Sequence, residues 1–271
     1  MDLQLRDVHV LVTGASGGIG LATTRLFLKQ GAIVTAHYRS SPATLEPLLV
    51  DYGSSRLRLL QADLAREEDA IRMFDTKTEG FGPVQILIVN HGYYPSADAP
   101  VAHMSLAQWN STLAANLTSS FLVTREYLKR LEQAPHEARE RAAVVLIGST
   151  AGKYGEGGHA DYAACKSAMM YGLTMSLKNE IVKIAPRGRV NCIAPGWVVT
   201  PMAAEALQNP DIVYQAMATT PLKKFATPED VANQVAILAS SAVSGHVTGQ
   251  VIMVEGGMEG RLLNKREDIG I

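Results

Sequence analysis

Seven short runs dominated by Val, Ile and Leu recur along the chain: VHVLV at 8–12, AIVTAH at 32–37, LRLL at 57–60, VQILIV at 84–89, AAVVLI at 142–147, RVNCI at 189–193 and QVIMV at 250–254. Most are continuous rather than alternating, so both faces of each strand must be buried. Between them lie stretches with helical character, at 18–30, 66–80, 106–133, 161–184 and 228–240. Buried strands alternating with helices predict an α/β fold, a doubly wound parallel sheet of about seven strands with helices on both faces. At Thr227-Pro228-Glu229-Asp230 a capping threonine, a first-turn proline and two acids at the positive end of the dipole mark a helix start.

No linker-like run divides the 271 residues, and the chain reads as one domain. Three segments exceed a short connection: the charged patch QAPHEARER at 133–141, expected to be a solvated loop; 197–226, expected to cover a site; and the tail 258–271. A hydrophobic fraction of 47% with 19% charged residues is that of an ordinary globular protein, and a formal net charge of -1 gives no broad attraction to nucleic acid or anionic membrane. The start, MDLQLRDVHVLVTG, has no basic region followed by a long apolar run, so a cytoplasmic protein without membrane spans is expected. Cys165 and Cys192, each among apolar neighbours, have neither disulfide nor metal-ligand spacing, and no metal is expected.

The first strand runs into Thr13-Gly14-Ala15-Ser16-Gly17-Gly18-Ile19-Gly20 and then into an amphipathic helix. Glycines there permit a tight turn and close backbone approach, and the helix N-terminus attracts a pyrophosphate. The second strand ends in His37-Tyr38-Arg39-Ser40-Ser41, with no acid to select a free ribose 2′-hydroxyl. Arg39 offers a permanently charged planar fork for a 2′-phosphate, with Ser40 and Ser41 as further donors, so NADP(H) is the expected cofactor. Further along, Tyr162 and Lys166 stand four residues apart, which on a helix places phenol and ammonium on one face, one turn apart.

This set of residues resembles the short-chain dehydrogenase/reductase family, in its compact single-domain, Rossmann-type subgroup, over about residues 6–257. TGASGGIG is similar to the family's glycine turn, Asp63-Leu64 falls where an acid meets the adenine, and Asn90 and Gly92 follow the fourth strand. Asn116, Ser149, Tyr162 and Lys166 then come in the family order, followed by Pro195, Gly196, Val198 and Thr200 in APGWVVTPM. The cofactor-binding set is therefore Gly14, Ser16, Gly17, Gly18, Ile19, Gly20, Tyr38, Arg39, Ser40, Asp63, Leu64, Asn90, Gly92, Tyr162, Lys166, Pro195, Gly196, Val198 and Thr200.

The resemblance implies a hydride transfer between C4 of a nicotinamide and a carbonyl carbon, with Tyr162 as general acid/base. An isolated phenol has a pKa near 10, and nearby positive charge favours phenolate. The resemblance also implies that Lys166 binds the nicotinamide ribose, that Ser149 polarises the substrate oxygen and that Asn116 holds a water in a proton relay. Where the family often has alanine this chain has His91, placed either to line the substrate side or to pack as a hydrogen-bonded side chain. Tyr93, Tyr94, Tyr154, Trp197 and Met202 lie on the corresponding loops and suggest a small apolar or ring-bearing carbonyl compound, with Lys153 and His159 as candidates to meet an anionic group. The expected activity is thus reduction of a ketone or aldehyde, reversible to alcohol oxidation. The alternative is an NADP(H)-sensing regulatory protein, which needs the glycine turn and Arg39 but not the four catalytic-type residues. Helices 106–133 and 161–184 are apolar over more than one face, and relatives pair through them, so a homodimer or homotetramer is expected.

Overall fold

The computed structural model describes residues 2–75 and 80–260. Strands β1 (His9–Val12), β2 (Ile33–Tyr38), β3 (Leu57–Gln61), β4 (Ile86–Val89), β5 (Ala143–Ile147), β6 (Arg189–Pro195) and β7 (Val251–Val254) form one sheet in the order β3-β2-β1-β4-β5-β6-β7. All six pairings are parallel, from His9 opposite Ile33 at one end of the register to Pro195 opposite Val254 at the other. Successive side chains go to opposite faces, and here both are dry. Val10, Val12, Ile86, Ile88, Val145 and Ile147 enter one core, while Leu11, Leu87, Val89, Val144 and Leu146 enter the other. That is why the strand sequences read as unbroken apolar runs.

The helices are α1 (Gly18–Lys29), α2 (Glu46–Tyr52), α3 (Glu67–Asp75), α4 (Leu106–Leu113), α5 (Ser119–Glu132), α6 (His136–Arg139), α7 (Thr150–Tyr154), α8 (Ala160–Ser167), α9 (Thr174–Ile184), α10 (Pro210–Ala218), α11 (Pro228–Ala239) and α12 (Ser241–Ser244). Helices α1 and α11 cover the first face through Phe27, Leu28, Val231 and Val235. The second face is covered by α3, α5 and α9 through Met73, Val123, Tyr127, Leu177 and Ile181. The expected helices 106–133 and 161–184 are continuous, but each contains a wide π-helical turn, Ala114–Thr118 and Ala168–Leu173. Such turns shift the side chains on either side out of α-helical register and are frequent at functional sites. The charged patch at 133–141 is not purely a solvated loop: Pro135 starts the short α6, and Ala134 and Ala138 are buried. Residues 76–79, the end of the expected helix 66–80, and 261–271, most of the expected tail, lie outside the described residues.

No helix among the described residues is long and apolar enough to cross a membrane. The predicted start of α11 is a capping box, with Thr227 Oγ1 accepting from Asp230 N (3.2 Å) and Asp230 Oδ2 accepting from Thr227 N (2.8 Å). Because α11 packs along α1, which carries the glycine turn, the cap contributes to the whole domain. Replacing Thr227 with Ala is expected to lower stability by about 1 kcal/mol and the thermal midpoint by about 2 °C, measured by calorimetry; an unchanged midpoint would show that the cap is idle.

Candidate active site

Strand order reverses between β1 and β4, and at this point the carboxyl ends of the strands open a crevice. It is a cavity of about 2050 Å³, large enough for a dinucleotide and a second small molecule. Its floor is the turn after β1. Gly14 has φ +62°, and a Cβ there would lie 2.8 Å from the His91 Cα, so glycine is required twice over, by conformation and by space. A Cβ on Gly18 would meet Thr200 Cγ2 at 2.7 Å, so the helix start and the segment after β6 close on each other. Gly17 caps α1 without a side-chain partner, leaving the first N–H groups of the helix to face the cavity.

Two side chains that sequence reasoning passed over hold this turn. His37, buried at the end of β2, accepts from Gly14 N through Nδ1 (3.1 Å), so its Nε2–H donates to Ala62 O (3.0 Å). Burial lowers its pKa and keeps it neutral. Thr13 Oγ1 accepts from Asn90 N (2.9 Å), while Asn90 Nδ2 donates to Thr13 O (2.9 Å) and Gly14 O (3.1 Å). Thr13 opens the TGASGGIG stretch and His37 stands at the end of the second strand, but neither position by itself indicates these contacts.

At the far end of the cavity Arg39 and Ser40 are exposed and line the wall with Ser41 and Thr44. Thr44 donates to Ser16 O (2.9 Å), and Gln61 Nε2 donates to Arg39 O (3.0 Å), so both the turn and the Arg39 backbone are braced. Asp63 and Leu64 line the same end. Tyr38 does not: its ring packs half-buried against the core.

Ser149, Tyr162 and Lys166 all reach the cavity at its other end. Ser149 follows β5 and caps α7, its Oγ accepting from Ala151 N (3.1 Å). The Lys166 ammonium lies 5.6 Å from the centroid of the Tyr162 ring and donates to Ile147 O (2.8 Å). Burial lowers the Lys166 pKa to about 8, so it remains mostly protonated at neutral pH. Asn116 stands behind the wall rather than in it, fully buried in the first π-turn. Its Oδ1 accepts from Tyr93 N (3.0 Å), and its Nδ2 donates to Tyr93 O (2.9 Å) and Thr112 O (3.0 Å). Gly92 separates this amide from Lys166, since a Cβ there would be 3.1 Å from Asn116 Oδ1 and 3.6 Å from Lys166 Nζ.

The remaining wall is largely aromatic. Tyr94 meets Tyr162 edge to face at 5.0 Å and His159 at 4.3 Å. His159 pairs with Asp98 (2.7 Å), and Lys153 lies 3.5 Å from Glu255 and over the Tyr154 ring. Tyr154 donates to Met258 O (2.5 Å), fastening the chain after β7 to the site. Pro195 at the end of β6 and then Gly196, Trp197, Val198, Thr200 and Met202 run along the cavity, and α10 contributes Ile212 and Ala216. Residues 199–225 thus form a flap whose base is the bridge between Val198 and Ala226.

The family model described as enoyl-(acyl carrier protein) reductase matches residues 14–259. Nodulation protein G of Rhizobium sp. (strain N33) is 36% identical over 256 residues, covering 94% of this chain and 98% of its own. The 3-oxoacyl-(acyl-carrier-protein) reductase FabG of Aquifex aeolicus is 32% identical over 262 residues, covering 95% of this chain and all of its own. A solved short-chain dehydrogenase/reductase, SDR:glucose/ribitol dehydrogenase from Brucella melitensis, superposes with a TM-score of 0.83 at 32% identity, covering 95% of this chain and 98% of that one. The chain is a short-chain dehydrogenase/reductase. Members of this oxidoreductase family use a nicotinamide cofactor, and the residues present fit one: an uncapped helix N-terminus for pyrophosphate at one end, and Tyr162, Lys166 and Ser149 at the other.

His91, the departure from the usual family residue, is bound on both ring nitrogens. Nδ1 lies 2.8 Å from Thr13 Oγ1 and Nε2 lies 2.9 Å from Ser119 Oγ, whose own hydrogen goes to Ala115 O (2.9 Å). Burial lowers its pKa to about 3; burial also lowers His9 to about 4. Between these values and the free value of 6.5 the unfolded chain binds protons that the native state refuses, so stability rises with pH through that window and is lost on acidification. The thermal midpoint of this dehydrogenase/reductase is expected to fall as pH drops from 6.5 to 4, with a shallower slope in His91→Asn; a flat profile would mean the histidines titrate alike in both states.

Proposed function

We propose that this protein is an NADPH-dependent carbonyl reductase acting on a small ketone or aldehyde, the reaction being reversible as an alcohol dehydrogenase. The observation that carries the reading is the convergence of Ser149, Tyr162 and Lys166 on one end of a cavity whose other end presents Arg39. When bound, the nicotinamide supplies or accepts the hydride. The Tyr162 hydroxyl donates the proton to the substrate oxygen as negative charge develops there, and Ser149 Oγ–H donates a second hydrogen bond to the same oxygen. Lys166, held by Ile147 O, stabilises the phenolate that remains. Asn116 fixes the Tyr93 backbone and so shapes the wall beside Gly92. A purely sensing protein has no use for this convergence.

The wall facing Tyr162 supports an apolar or ring-bearing substrate, through Tyr93, Tyr94, Trp197 and Met202. Its charged members on that side are Asp98, Glu156, Glu205 and Glu259, and among the described residues that line the cavity Lys166 is the sole lysine or arginine apart from Arg39. Such a mouth supports a free, uncharged carbonyl compound over one presented on a polyanionic carrier. NADPH oxidation should therefore be followed with ketones, diketones, quinones, aldehydes and a 3-oxoacyl thioester. Tyr162→Phe is expected to lower kcat by at least about a hundredfold while NADPH affinity stays within about twofold, and Arg39→Ala to weaken NADPH about tenfold while sparing NADH. A Tyr162→Phe enzyme that retains turnover sinks the mechanism, and equal affinities of the wild type for the two cofactors sink the phosphate role.

Helices α5 and α9 pack side by side and, with the π-turn that precedes α9, leave Phe121, Tyr171 and Val182 between 40% and 48% exposed. These residues support self-association through the α5 and α9 surfaces. Light scattering is expected to give a dimer or tetramer that Phe121→Glu dissociates; a wild-type monomer would refute the pairing.

A further inference from the structure

Asp161, immediately before Tyr162, is fully buried, and its carboxylate is held by hydrogen bonds, with no ion pair among the described residues. Oδ1 accepts from Tyr162 N (2.8 Å), and Oδ2 accepts from Thr112 Oγ1 (2.7 Å) and from Gln108 Nε2 (3.3 Å). A carboxylate removed from water is costly unless such bonds replace its hydration, so its retention here needs a reason. Helix capping alone does not account for it, because Thr112 and Gln108 reach in from α4. Thr112 is shared. Its hydroxyl serves Asp161, and its carbonyl accepts from Asn116 Nδ2 (3.0 Å) and the Cys165 thiol (3.7 Å). One connected path therefore runs from the Asn116 π-turn through Thr112 and Asp161 to the backbone of Tyr162.

We propose that Asp161 is a positioning residue for Tyr162: with Thr112 it fixes the helix carrying the phenol against the turn carrying Asn116, so that the proton donor, the wall at Tyr93 and the start of α8 move as one unit. This rests on the reductase reading for its kinetic consequence. Lys166 has its own tie to Ile147 O, so cutting the Asp161 link frees the phenol more than the ammonium. An error of an ångström at a proton donor is expressed in kcat.

The test uses the full chain, NADPH and whichever carbonyl compound of the panel the wild type reduces. Asp161→Ala is expected to lower kcat about tenfold or more, with NADPH affinity within about twofold. Asp161→Asn keeps the acceptor for Tyr162 N, and reversal of the Thr112 hydroxyl and the Gln108 amide satisfies its NH2, so it should stay within about threefold of wild type. Thr112→Val combined with Asp161→Ala should fall no further than Asp161→Ala alone, the signature of residues acting as a unit. Hydrogen exchange supplies a readout independent of turnover: Asp161→Ala should accelerate exchange both at 160–166 and at 112–118 while leaving β5 unchanged. Wild-type silence across the panel would count against the reductase reading, and the exchange result would still decide the coupling. An Asp161→Ala enzyme within twofold of wild-type kcat, an Asp161→Asn enzyme as damaged as Asp161→Ala, or faster exchange confined to 160–166 would each overturn the proposal.

Discussion

The Thr13 hydroxyl is where the two halves of the sheet are joined at the carboxyl edge. It lies 3.1 Å from Ile88 O and 2.8 Å from His91 Nδ1 and receives Asn90 N, so the end of β1 is tied to the end of β4 at the point where the strand order reverses. A crevice is needed there, and a crevice has no ladder hydrogen bonds to define its width. Side-chain bonds from Thr13 and Asn90 on one side, and from His37 on the other, supply that definition. Glycines make the turn possible; these polar groups make it a single conformation. Everything that faces the cavity takes its position from this junction.

Charge in the site is managed by backbone carbonyls and hydroxyls more than by opposite charges. Lys166 is buried against Ile147 O, His37 against Ala62 O, and His91 between two hydroxyls, and burial lowers the pKa of all three. A carboxylate touching Lys166 would neutralise the positive potential that a phenolate needs. The nearest buried acid, Asp161, instead directs its oxygens at the amide of Tyr162 and the side chains of α4.

The strands were legible because both faces of each are dry, and α1 and α11 because their ends carry strong local signals, a glycine turn and a capping box. Helices α2 and α10 were not. Each is short, and only Leu48 of α2 and Ala216 of α10 are buried, so the amphipathic period is weak. The π-turns at Ala114–Thr118 and Ala168–Leu173 leave no mark in composition, because they arise from packing around Asn116 and against Met169 and Met170. In the site, the four-residue spacing put Tyr162 and Lys166 on one helix face and the family resemblance added Ser149; all three line the cavity. Tyr38 was placed at the cofactor by its position at a strand end, yet the pleat turns its ring to the core and leaves Arg39 to face the cavity. Thr13, His37 and Thr112 were invisible as functional residues because their importance lies in which distant backbone atoms they meet.

The bridge between Val198 and Ala226 pinches the flap at its base, with Val199 N donating to Ala226 O (3.0 Å) and Ala226 N to Trp197 O (2.9 Å). β6 leads into one side of this clasp and α11 leaves from the other, so the clasp holds the two ends of the flap together whatever lies between, while Thr200 against Gly18 and Leu222 N donating to Gly256 O (3.1 Å) fasten the flap to the glycine turn and to the chain after β7. Loop closure becomes only slowly costlier as such a segment grows. The part of the flap between Thr200 and Thr219, fastened at both ends, can change in length and content while the glycine turn and Tyr162 keep their places, so this wall of the cavity varies separately from the rest.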